Sequence, residues 1–278
     1  MKFHATANFL RRPRLTRLVA GTAIGAGLLT FALAGYAADS GSMIEALNRN
    51  LTNPRRDRPM HGAIATSNVN PHGGPYAVLG TDWWQWVFSL PVHDSHGNVI
   101  HPLLTSGAVD CSLGQSGNLW FLAGNLGGST SRSCTVPRNT ALFFPILNSW
   151  ADNTGITEPT NLTLPQLQAL AAFFVENPTS LHASVDAVNI PITAANHGLA
   201  PFSYRAPNTD NLLQYFGEDV PGPGWPYGNT PIGVVVAPAA SDGYWLEINP
   251  LGPGVHTVKF GGTSGTFTVD ITYTITVN

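Results

Sequence analysis

Along the final stretch of the chain, apolar and polar side chains alternate without a break. Phe267, Val269, Ile271, Tyr273, Ile275 and Val277 fall on one side of an extended backbone, and Thr268, Asp270, Thr272, Thr274 and Thr276 on the other. A period of two belongs to a strand with one face in a core and the other in water. Residues 243–248 and 255–260 precede it, with turn residues between. The pattern predicts three strands closing an antiparallel sandwich.

A second period lies upstream. Tyr76, Leu79, Trp83, Trp86 and Val87 recur every three or four residues, which is one face of an amphipathic helix stopping before Pro91. Its indoles suit anchoring on a sheet; the alternative is an aromatic platform for a ligand, to which Trp83 and Trp84 would contribute. Residues 119–123 and 141–147 are short apolar runs bounded by Gly or Pro and read as buried strands. Thr163 can cap a helix with Pro165 in its first turn, running to Val175. Residues 181–192 read as strand–turn–strand, and 211–216 as one or two helical turns.

The expected fold is mainly β: an antiparallel β-sandwich, Ig-like or jelly-roll-like, with two or three peripheral helices. It occupies residues 75–278, with a candidate sub-boundary near Pro178. Residues 38–74 read as an extended arm: Met43 to Leu47 can form a short helix, and Thr52 to Gly74 is rich in Asn, Pro, Arg and Gly with no clear period. Residues 1–37 have the layout of a secretory signal peptide: Lys2, Arg11, Arg12, Arg14 and Arg17, an apolar run over 18–34, then the small residues Gly35 and Ala37. Arg11-Arg12 suggests twin-arginine export, but Pro13 follows at once and general secretion fits better. The expectation is a periplasmic or secreted protein that meets a membrane only during export.

Removing that leader changes the charge. It carries 5 of the 13 Lys and Arg residues and no Asp or Glu, so 8 basic groups remain against 16 acidic ones, a formal charge of −8. Lys259 is then the sole lysine. Nucleic acid is excluded as a partner, since phosphate binding needs a positive surface. The two cysteines, Cys111 and Cys134, are expected to pair in an oxidising compartment. Closing that loop is worth about 3 kcal/mol in the chain-entropy model.

No phosphate loop, dinucleotide fingerprint or paired-His zinc motif is present. Gly114-Gln115-Ser116-Gly117 falls one residue short of a nucleophile elbow. Nucleotide use, hydride transfer and standard α/β-hydrolase chemistry are therefore disfavoured. Three constellations remain. His93, His96 and His101 lie within nine residues around a turn and would hold copper or zinc if the hairpin register puts His93 opposite His101; a shorter loop would pair His93 with Ile100. Trp225 and Tyr227 sit on a Pro- and Gly-stiffened loop, and with Trp245 they offer flat faces for stacking on a sugar. Glu247 shares a strand face with Trp245 and is a candidate acid or base, with Asp270 as the facing carboxylate a glycosidase needs. His256 shares parity with Val258 and Phe260 and reads as a hydrogen-bonded core or rim histidine. Gln115, Asn118, Asn148 and Asp152 either line a pocket or cap backbone groups at strand ends.

The first functional expectation is an exported β-sandwich protein that binds an extracellular or cell-envelope ligand, carbohydrate above others, through Trp and Tyr side chains. The second is a secreted glycosidase-like hydrolase using Glu247 and Asp270 on a polysaccharide. The third is a metal-binding protein centred on the histidines, and the fourth a structural role in the envelope.

Overall fold

The computed structural model describes residues 76–154, 162–216 and 234–278. The expected signal peptide and arm lie outside these residues, as do Trp225 and Tyr227. The described chain is mostly β, with two sheets and three short α-helices.

The C-terminal alternation builds β10 (Phe267–Val277) as read, with every second residue from Val269 buried. It pairs antiparallel with β9 (Gly254–Ser264), setting Ile271 opposite Phe260 and Tyr273 opposite Val258. On its other edge β10 runs parallel to β3 (Gly128–Val136). β1 (Gly107–Ala108), β5 (Pro178–Val185) and β6 (Val188–Asn189) complete a six-stranded sheet in the order β1-β3-β10-β9-β5-β6. The second sheet has the order β2-β4-β8-β7, from β2 (Leu119–Phe121), β4 (Ala141–Asp152), β7 (His197–Ala206) and β8 (Val234–Ile248).

The last three strands divide between the sheets: the chain leaves β8 in the four-stranded sheet and enters β9 in the six-stranded one. One expectation is corrected here, because the pairing is not purely antiparallel: β1 with β3, β10 with β3 and β2 with β4 are parallel. Alternation fixes which face of a strand is apolar, but not which distant strand lies beside it. Both sheets combine strands from before and after Pro178.

The inward faces of the two sheets meet in one apolar cluster. Phe144, Ile146 and Leu246 of the four-stranded sheet pack with Val258, Phe260, Ile271 and Ile275 of the other, and the rings of Phe144 and Phe260 lie 4.4 Å apart. Arg132 projects into this layer at 3% exposure. Part of its fork is used: Nε donates to the Thr105 carbonyl (2.9 Å) and Nη1 to the Ala123 carbonyl (3.1 Å), with the Tyr273 ring beneath, while Nη2 has no hydrogen-bond partner among the described residues.

The outward face of the four-stranded sheet is covered by α1 (Tyr76–Ser89), which buries Trp83, Trp84, Trp86, Val87 and Phe88 against it. Close approach depends on glycine. A Cβ at Gly80 would sit 2.6 Å from the Trp245 ring, and one at Gly198 2.5 Å from the Ala77 backbone nitrogen. α2 (Leu164–Phe173) packs Leu167 and Ala171 on Ala151 and Ala240. It begins as expected, with the Thr163 backbone N–H donating to Gln166 Oε1 at 2.8 Å. α3 (Leu212–Phe216) buries Leu212 and Leu213 in the cluster under α1.

Candidate ligand-binding face

Three of the residues expected to meet a ligand come together, but in the core. Trp83, Trp84 and Trp245 form one cluster, with Trp83 4.8 Å from Trp84 and 5.6 Å from Trp245 by ring centroids. Trp245 is completely buried, and Trp83 and Trp84 are 1% and 4% exposed. Burial of such rings on a sheet outweighs leaving them as a platform, so none of the three presents a face to solvent.

The carboxylate pair does not form. Glu247 is fully buried on the helix side of β8, level with Phe143. Its neighbour Tyr76 has a phenol pushed above its ordinary pKa, chiefly by burial; a backbone hydrogen bond with Glu247 opposes the rise and the Glu247 charge adds to it. Asp270 stands half-exposed on the outward face of the other sheet, so both sheets and the core between them separate the two groups.

Nor do the three histidines converge. The hairpin closes with Ser95, His96 and Gly97 as its loop: Asp94 N–H donates to Asn98 O, and Gly97 N–H to Asp94 O. This register sets His93 opposite Val99, neither Ile100 nor His101. The Asp94 carboxylate selects it by accepting from the backbone N–H groups of His96 (2.8 Å) and Asn98 (2.9 Å), a competition that loop length alone does not reveal. His93 pairs with Asp210, His96 faces water, and His101 is buried. The His101 ring spans two backbone groups, donating from Nε2 to Val87 O (3.0 Å) and accepting from Leu103 N–H (3.3 Å). Burial pushes its pKa down to about 4. Among the described residues no group of three His, Cys, Asp or Glu side chains is placed to hold a metal ion, so the copper or zinc reading is withdrawn.

Other polar residues serve the fold. Gln115 brackets Phe121, donating to its carbonyl and accepting from its N–H. Asp152 takes bonds from Trp150 Nε1, Tyr204 Oη and the N–H of Thr154. His256 is a rim histidine bonded to Asp186 and Gly252 O, both at 2.8 Å. The sequence reading missed Asp242, which is 1% exposed and holds Nε2 of the half-exposed His197 at 2.6 Å. That hydrogen bond raises the pKa of His197 against the opposing effect of burial.

What remains open to solvent is the outward face of the six-stranded sheet. The polar half of β10 lies in register with polar residues on its neighbours. Thr276 is level with Thr135, Thr274 with Ser133 and Thr257, and Thr272 with Ser131 and Lys259. Further rows join Ser184 to Lys259, and Ser180 and Thr268 to Thr263. Hydroxyls therefore recur about 4.8 Å apart across strands and about 6.7 Å apart along them. In the middle, Asp270 and His182 flank Gly261, with His182 Nε2 and Asp270 Oδ1 3.5 Å apart. A side chain at Gly261 would meet the His182 ring at 2.9 Å, so this glycine lets the pair lean together.

At one edge the face runs into a cleft of about 460 Å³, lined by residues including Asp110, Cys111, Ser133, Thr135 and Thr276. That volume is within the range of small-ligand sites. Its outer wall, residues 107–111, is held in three ways. Val109 N–H donates to Ser133 O (2.9 Å), Arg132 grips Thr105 O, and the expected disulfide joins Cys111 to Cys134. No family model, curated protein or solved structure matches this chain.

Proposed function

We propose that the protein is an exported β-sandwich protein that binds an extracellular ligand of the carbohydrate class. The bound ligand lies on the outward face of the six-stranded sheet and reaches into the cleft beside the disulfide. The leader-like residues 1–37 and the Cys111–Cys134 bond support export to an oxidising compartment. One observation carries the ligand class: Ser and Thr hydroxyls stand in register over four strands and continue into a concave edge lined by Asp110, whose Oδ1 also accepts from the N–H and Oγ of Ser112. Hydroxyls both donate and accept, and a carboxylate accepts, which suits a ligand that is itself a dense set of hydroxyls. Binding is preferred to hydrolysis, because Glu247 and Asp270 cannot act on one bond.

Retention on a panel of insoluble and soluble polysaccharides tests this reading, with Thr276→Leu as the probe of the cleft. Thr276 lines the cleft on the outward face of β10, and leucine there adds uncharged bulk and removes the hydroxyl without touching the core. The expected result is retention by the wild type and a loss of about tenfold or more in affinity for the variant, about 1.4 kcal/mol, at unchanged melting temperature. Absence of binding across the panel would remove the proposal.

A further inference from the structure

We infer that the carbohydrate bound on this face carries carboxylates, as a uronic-acid-bearing polysaccharide does, and that Lys259 is the residue that reads them. This rests on the reading of the outward face as a glycan surface.

Lys259 is the sole lysine between residue 38 and the C-terminus. It is exposed near the middle of that face, with Thr272 beside it on β10 and Ser184 beside it on β5. Among the described residues its ammonium has no ion pair and no side-chain hydrogen bond. Two acidic residues stand diagonal to it in register, and both are engaged elsewhere: Asp270 is turned to His182 across Gly261, and Asp186, opposite Thr257, is bonded to His256 at 2.8 Å. A cation surrounded by hydroxyls, with its neighbouring carboxylates engaged elsewhere, is complementary to a ligand that is hydroxylated and anionic at once.

The spacing fits the same ligand. Lys259 lies opposite Thr272 and Asp270 opposite Gly261, so Lys259 and Asp270 are diagonal neighbours, about 7–8 Å apart. One sugar ring with its substituents spans that distance. Its carboxylate meets the ammonium, and one of its hydroxyls donates to the Asp270 oxygen that His182 leaves open. The rest of the chain is net acidic, which repels an anionic polymer from other surfaces and confines the contact to this lysine.

The experiment compares polygalacturonate and alginate with their carboxyl-reduced counterparts, which keep the backbone and replace each carboxylate by a hydroxymethyl group. Affinities are measured for the wild type, Lys259→Ala and Lys259→Arg. The wild type is expected to bind at least one carboxylated polymer about tenfold more tightly than its reduced form. Lys259→Ala should abolish that difference at an unchanged melting temperature, and Lys259→Arg should keep it. Equal affinity for carboxylated and reduced polymers overturns the inference and leaves the glycan reading standing. A preference that survives in Lys259→Ala overturns the role of Lys259. If neither these polymers nor any neutral polysaccharide is retained, the glycan reading falls and takes the inference with it.

Discussion

The outward faces of the two sheets begin from the same geometry and end as opposites. On the four-stranded sheet the face is filled by Phe143, Trp150, Phe202, Tyr204 and Trp245, and α1 closes over it. On the six-stranded sheet the corresponding positions are mostly Ser and Thr, with Lys259, Asp270, His182 and the exposed Val255 among them, and none of the described elements covers them. The covered face accepts costs to stay covered. Among the described residues, Trp84 Nε1, Trp245 Nε1, Asn148 Nδ2 and Ser241 Oγ are buried without hydrogen-bond partners. Each such group costs about 1–3 kcal/mol. A buried aromatic side chain hides roughly 150–250 Å², worth about 4–6 kcal/mol at 25 cal/mol per Å². Packing therefore wins even where polar atoms are stranded, and the same side chains cannot also serve a ligand.

The largest expected effect tests the covered side of that contrast. Trp83 is 1% exposed, touches three other indoles, and donates from Nε1 to Leu122 O at 2.9 Å. Trp83→Ala should lower unfolding stability by about 3–5 kcal/mol, as large-to-small core substitutions of this size do. Urea denaturation followed by circular dichroism measures it. A loss below about 1 kcal/mol would mean that α1 is not clamped to the sheet, and the contrast between the two faces would lose its basis.

A smaller effect comes from pH, through His101 beneath the same helix. Its two hydrogen bonds need a neutral ring with the proton on Nε2, because Nδ1 accepts from Leu103 N–H. The folded pKa of about 4 lies below the ordinary value of 6.5. Between those values the unfolded chain binds a proton that the folded chain refuses. This contribution to stability is complete above about pH 6.5 and declines as pH falls towards 4. The decline is at most about 1.4 kcal/mol per pH unit, or about 3 kcal/mol in all. His197 and His256 act in the opposite sense, since their folded pKa values are raised. What they add is present below pH 6.5 and is lost as pH rises through those higher values. Comparing the wild type with His101→Gln from pH 7 to pH 4 isolates the first contribution: the variant should be less stable at pH 7 and lose less on acidification. Parallel curves would show that His101 takes up its proton equally in the folded and the unfolded chain, which would overturn its depressed pKa.

How much of this contrast could be read from the chain depends on the range of the interaction. β10 and α1 were legible because each is set by a local period, and α2 because Thr163, Pro165 and Gln166 mark its first turn. The disulfide was legible because two cysteines admit one pairing. The parallel neighbour of β10 was not, since Gly128–Val136 lies more than a hundred residues earlier and its register comes from tertiary packing. The same gap explains the site. Thr268, Thr272, Thr274 and Thr276 were visibly polar, but that Ser131, Ser133, Thr135 and Thr257 would stand level with them needed two sheet registers no local pattern states. Trp245 misled for a related reason: an indole on a strand reads alike whether water or a helix lies above it. The Asp94 turn shows the finest limit, where one carboxylate moved the hairpin loop by a residue and placed His93 opposite Val99.

The smallest expected effect bears on the open face. Thr274 is exposed, and its row runs Ser133, Thr274, Thr257 across three strands. Valine keeps the branched shape that suits a strand and removes only the hydroxyl. If that hydroxyl faces water, Thr274→Val exchanges a solvated group for a methyl and should shift stability by no more than about 0.5 kcal/mol in either direction. Affinity for the polysaccharide should nevertheless fall, because the bound ligand would lose one hydrogen-bond partner from a row of three. The two readouts thus separate what a buried aromatic face cannot separate: at Trp83 any loss of binding is confounded by loss of the fold, whereas at Thr274 binding and stability move independently. A stability loss above about 1 kcal/mol would mean that the hydroxyl holds the sheet together, and the face would then be structural on both of its sides.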